Sequence, residues 1–117
     1  MPKTIKITAD NQMQLIDVDF TSLKSMQKAI NGHIETIRTK AITSFFHNSS
    51  ILMIVDEDRW NKRLNINVVG TILCNLSIVG DFYLAEAAEE DIIAPSNLTD
   101  IRKKLIERFP YLEEGNS

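Results

Sequence analysis

The sequence is short of the materials from which most recognisable sites are built. It has a single cysteine, Cys74, in 117 residues, so no intrachain disulfide can form and a reducing compartment is expected. Only four glycines are present. None falls into the Gly-x-Gly-x-x-Gly or P-loop spacing that brings backbone N–H groups onto phosphates. No serine is framed as Gly-x-Ser-x-Gly, which removes the usual nucleophile elbow. The histidines, His33 and His47, are far apart and offer no His-x-x-x-His or Cys-x-x-Cys pairing, so no metal and no other cofactor is expected.

Charge of one sign is missing too. Thirteen basic side chains stand against sixteen acidic ones, for a net charge of −3. That mild charge argues against a general nucleic-acid binder, which carries a basic patch or stripe, and the carboxylates are too dispersed to imitate a phosphate rail. No run approaches the roughly 20 apolar residues that span a bilayer. No apolar signal-peptide core follows Met1-Pro2-Lys3-Thr4-Ile5-Lys6. The expectation is a cytoplasmic protein without membrane association.

What is present suits one folded domain. The apolar fraction is 44% and the charged fraction 25%, ordinary values for a packed core with a solvated surface. A single α+β domain over 1–112 is expected, with 113–117 as a frayed C-terminal tail. Alternating apolar residues predict strands over 4–8 and 13–18, joined at the Asp10-Asn11 turn, and again over 33–38. The unbroken run 51–55 predicts a central strand. Segment 76–84 reads as a further strand, with Gly80 marking a bulge or a close backbone approach.

Phe20, Leu23, Met26, Ala29 and Ile30 fall at helical spacing, so a helix is expected over 21–30. Asp19 or Thr21 would cap it and Asn31-Gly32 would stop it. A second helical stripe, Leu98, Ile101, Leu105 and Phe109, ends at Pro110. Segments 39–50 and 67–73 fit either a short helix or a strand. The expected architecture is a mixed or antiparallel sheet of about five strands with two covering helices.

Candidate chemistry is thin. Cys74 lies in the apolar stretch Thr71-Ile72-Leu73-Cys74 and reads as a buried thiol, since no base or cation neighbours it. Asp56-Glu57-Asp58 would alternate faces on a strand, which is poor for shared coordination. Arg59-Trp60 is the most suggestive pair, because Trp and Arg are enriched at binding hot spots. The alternative is that Trp60 folds back as a lid on the core edge while Arg59 snorkels.

Three segments in order carry a resemblance. They are Met26-Gln27-Lys28-Ala29-Ile30-Asn31-Gly32-His33-Ile34-Glu35, then Val55-Asp56-Glu57 with Leu64-Asn65-Ile66-Asn67, then Ile78-Val79-Gly80-Asp81-Phe82. Together they resemble the family called Domain of Unknown Function 3846, over roughly 4–84. This chain has Asp58 and Arg59 where that family often has Gly, and Asn65 where it often has Pro. The resemblance implies a short accessory product of a phage or mobile element and brings no assigned activity.

The reading that follows is a non-catalytic binding protein that antagonises a host system, either by masking a host protein or by sequestering a small ligand. Asp56, Arg59, Trp60, Asn65, Asn67 and Asp81 are its candidate binding residues. A small enzyme with a loop-built pocket around Asp56, Asn67 and Asp81 is the alternative. A third reading is an assembly protein that forms a homo-oligomer through a sheet edge.

Overall fold

A computed structural model describes residues 2–115. The strands are β1 (Lys3–Ile7), β2 (Gln12–Asp17), β3 (Ile34–Ile37), β4 (Ile51–Asp56), β5 (Phe82–Ala88), β6 (Asp91–Ile93) and β7 (Glu113–Glu114). The helices are α1 (Leu23–Ile30), α2 (Lys40–Phe46), α3 (Val68–Cys74) and α4 (Leu98–Arg108). The sheet runs in the order β3-β4-β5-β1-β2-β7, with β6 also paired to β5. It is mixed, because β2 and β7 run parallel while the other pairs are antiparallel.

The chain is thus α+β, with seven strands and four helices among the described residues, against the expected five or so strands and two helices. Both ambiguous segments are helices, and each is made by a polar cap. Thr39 Oγ1 accepts from the Ile42 N–H at 3.2 Å to start α2. Asn67 Oδ1 accepts from the Gly70 N–H at 2.9 Å to start α3. Both helices end on a left-handed residue, His47 and Asn75.

The strand expected over 76–84 is displaced. Gly80 has φ +79°, which breaks the extended run, so β5 begins at Phe82 and continues through the small residues to Ala88. It then turns into β6. The end expected to fray from Glu113 is instead held to the sheet, with the Gly115 N–H donating to the Met13 carbonyl at 3.0 Å. The rest of that expected tail, Asn116 and Ser117, lies outside the described residues.

Every residue of β4 is buried, because helices cover both faces of the sheet. Ile51, Met53 and Val55 alternate with Leu52 and Ile54. The first set joins Phe82 and Leu84 under Ile42, Leu73, Leu105 and Phe109 from α2, α3 and the α4 region. The second joins Tyr83 and Ala85 beneath Met26 and Ile30 of α1. Tyr83, fully buried, donates its hydroxyl to the Met26 carbonyl at 2.9 Å, which removes the cost of an unpaired buried O–H.

Ser22, not Asp19 or Thr21, caps α1; its Oγ accepts from the Ser25 N–H at 3.1 Å. At the other end it is Asn31 that takes the left-handed conformation, with φ 56°. Gly32 is required for a different reason, which concerns Asp56.

Candidate functional site

Asp56 is the last residue of β4, and its carboxylate enters the turn that follows. Oδ1 accepts from the Asp58 N–H at 2.8 Å, and Oδ2 meets the Lys62 ammonium at 2.5 Å. Lys62 also donates to the Asn31 carbonyl at 3.1 Å, so one carboxylate ties the 57–62 loop to the end of α1. Burial pushes the Asp56 carboxyl up, but the hydrogen bonds from Lys62 and Asp58, with the Lys62 and Arg59 charges, outweigh it. The group is held below the ordinary carboxylate value.

Arg59 turns inward. It is 8% exposed, and its guanidinium donates to Glu35 Oε1 at 2.9 Å and to the Asp56 carbonyl at 3.1 Å. Trp60 points outward at 58% exposure, with the Arg59 guanidinium carbon 5.8 Å from its ring centre. The two adjacent residues have separate roles: Arg59 braces the loop from beneath, and Trp60 presents its ring to solvent.

Asn67 is fully buried. Beyond capping α3, its Nδ2 donates to the Ile7 carbonyl at 3.2 Å and the Gly80 carbonyl at 2.9 Å. One amide therefore joins β1, the start of α3 and the turn before β5. Its polar groups are all engaged inside the protein. Arg59 is likewise turned inward, but its Nε is buried without a hydrogen-bond partner.

Asp81 accepts from the Ala9 N–H at 3.0 Å and lies 3.8 Å from the Lys6 ammonium. Gly80 donates its N–H to the Asn65 carbonyl at 2.8 Å. Of the six residues singled out from sequence, Asp56, Asn65 and Asp81 line one small cavity of about 270 Å³, together with Lys62 and Leu64. Arg59, Trp60 and Asn67 do not. The cavity lies just below the roughly 300 Å³ at which ligand pockets usually begin, and its two carboxylates are already hydrogen-bonded.

Cys74 is buried, with its Sγ 3.6 Å from the Met53 sulfur. Burial pushes its thiol up to about 12, against a smaller opposing effect of Arg59. Among the described residues no cluster of three His, Cys, Asp or Glu side chains is placed to hold a metal. No helix among them is long and apolar enough to cross a membrane.

Two surfaces escaped the sequence reading. Val68 and Ile72, four apart on α3, are exposed, and so are the flanking Ile66 and Leu76, at 42–53%. The inner face of the same helix buries Val69, Leu73 and Cys74. A helix apolar all round was the available signal, but the short segment did not reveal which face was which. The other surface is a groove of about 550 Å³ between α1 and the β1–β2 pair, lined by Lys6, Asp17, Ser22, Lys24, Ser25 and Lys28. Lys6 comes from β1 and Lys24 and Lys28 from α1. No protein-family model, no curated protein and no solved structure matches this chain.

Proposed function

We propose that this protein works by binding, without catalysis, and that it masks a partner protein through the outer face of α3 and the neighbouring chain. The observation that carries this reading is the exposed apolar set Ile66, Val68, Ile72 and Leu76. Val68 and Ile72 are neighbours on one helix face, and clustered exposed apolar side chains mark interaction surfaces more often than isolated ones do. Trp60 adds an exposed aromatic on a loop braced by Arg59 and the Asp56–Lys62 pair. Such bracing limits the entropy lost on docking.

The engagement of Asp56, Asn67 and Asp81 in internal hydrogen bonds favours binding over the alternative of a small enzyme built on them. The resemblance to the phage and mobile-element family supplies the context: an accessory protein that antagonises a host system by covering a host protein. Affinity capture from host extract with the wild type and with Ile72→Glu tests the reading. The expected result is a specific protein held by the wild type and lost from Ile72→Glu. Equal capture by both, or capture by neither, contradicts it.

A further inference from the structure

We propose a second binding site, for a small phosphorylated ligand of nucleotide size, in the groove between α1 and the β1–β2 pair. Three lysines face this groove, and they differ in how they are held. Lys6 is fixed: its side chain is 20% exposed, and its ammonium donates to the Ala29 carbonyl at 2.9 Å. An ammonium has three donors, so Lys6 retains donor capacity beyond that bond and its approach to Asp81. Lys24 and Lys28 are exposed and stand four apart on one helix, where like charges repel. Lys24 also lies in the first turn of α1, where the helix dipole disfavours a cation and no acidic residue offsets it. Neither Lys24 nor Lys28 is ion-paired among the described residues. The one carboxylate lining the groove, Asp17, is paired with Lys3 at 2.8 Å.

The hydroxyls of the groove are arranged for an anion as well. Ser22 Oγ accepts from the Ser25 N–H, and Ser25 Oγ accepts from the Asp19 N–H at 2.9 Å. Each oxygen thus satisfies a backbone donor and keeps its own proton to give. Cations and O–H donors converging on one groove match the acceptor oxygens of a phosphate. The groove also has an apolar side, from half-buried Ile16 and Ala29, and Asp17 as an acceptor for ligand hydroxyl or amino groups. Its volume of about 550 Å³ falls within the range of small-molecule sites. The overall charge of −3 favours a small anion held locally over an extended polyanion.

Calorimetric titration of the purified chain with the four common nucleoside monophosphates, inorganic phosphate and adenosine tests this. The expected result is binding of at least one monophosphate, weaker binding of phosphate and none of adenosine. Lys24→Gln with Lys28→Gln, both at exposed positions, should weaken it by about tenfold or more, while the distant Lys103→Gln leaves it unchanged. In the wild type, amide resonances of Lys24, Ser25 and Lys28 should shift on titration. Binding of none of the phosphates, binding unaltered by the double substitution, or shifts that map elsewhere would overturn the proposal. Ile72→Glu is expected to leave nucleotide binding intact, so this site and the α3 surface fail or stand separately.

Discussion

The Asp56 carboxylate rests against the backbone of Gly32, so closely that a Cβ at Gly32 would lie 2.7 Å from the Asp56 Cγ. This approach lets β4 end beside the α1 terminus with Lys62 bound to both. Gly32→Ala should therefore displace a buried, ion-paired carboxylate. The expected cost is about 1–3 kcal/mol, read from urea unfolding. A wild-type midpoint in Gly32→Ala would show that the carboxylate yields without loss.

The same carboxylate predicts a pH dependence. Its folded-state pKa lies below the ordinary 3.8, so the stability it confers is fully present above that value and is lost as pH falls through the lowered one. Wild type should exceed Asp56→Asn in stability at neutral pH, with a constant gap down to about pH 5 that closes in stronger acid. Unfolding curves of both proteins across that range measure it. A gap that widens on acidification contradicts the account.

Asn67→Ala removes the α3 cap and leaves the Ile7 and Gly80 carbonyls without their buried donor. Loss of a cap costs about 1 kcal/mol and each of the two unsatisfied buried carbonyls roughly 1–3 kcal/mol, so a total of about 3–7 kcal/mol is expected. Asn67→Asp keeps the cap acceptor but turns an anion toward two carbonyls, and should recover little of the loss. Thermal unfolding of the two variants distinguishes the clasp from a simple cap.

Where the sequence could be read, the reason was a local pattern. β1, β2, β3 and β4 follow from apolar alternation or an unbroken apolar run, and α1 and α4 from helical spacing. The α2 and α3 segments are too short for periodicity to choose between helix and strand, and only the Thr39 and Asn67 caps resolve them. β7 consists of two glutamates whose pairing with β2 is a consequence of where α4 delivers the chain. The site divides in the same way. Asp56, Asn65 and Asp81 do meet, but Arg59 and Asn67 are polar residues buried by partners distant in the chain, Glu35 and the Ile7 carbonyl. No local pattern announces such partners.

Cys74 should be unreactive in the folded protein. With its thiol pushed up to about 12 and its side chain buried, both thiolate population and access are low. Labelling by a disulfide reagent near neutral pH should be slow in buffer and immediate in denaturant. Rapid labelling of the native protein would contradict the burial.

The outer face of α3 and Trp60 are proposed to hold a partner protein. The most direct measurement is the Kd of the purified captured partner for the wild type, Ile72→Glu and Trp60→Ala. A residue at the centre of such a contact contributes about 2 kcal/mol or more, roughly thirtyfold in Kd. The account predicts a loss of that size for Ile72→Glu, and a loss in the same direction for Trp60→Ala. An unchanged Kd in both variants would contradict it.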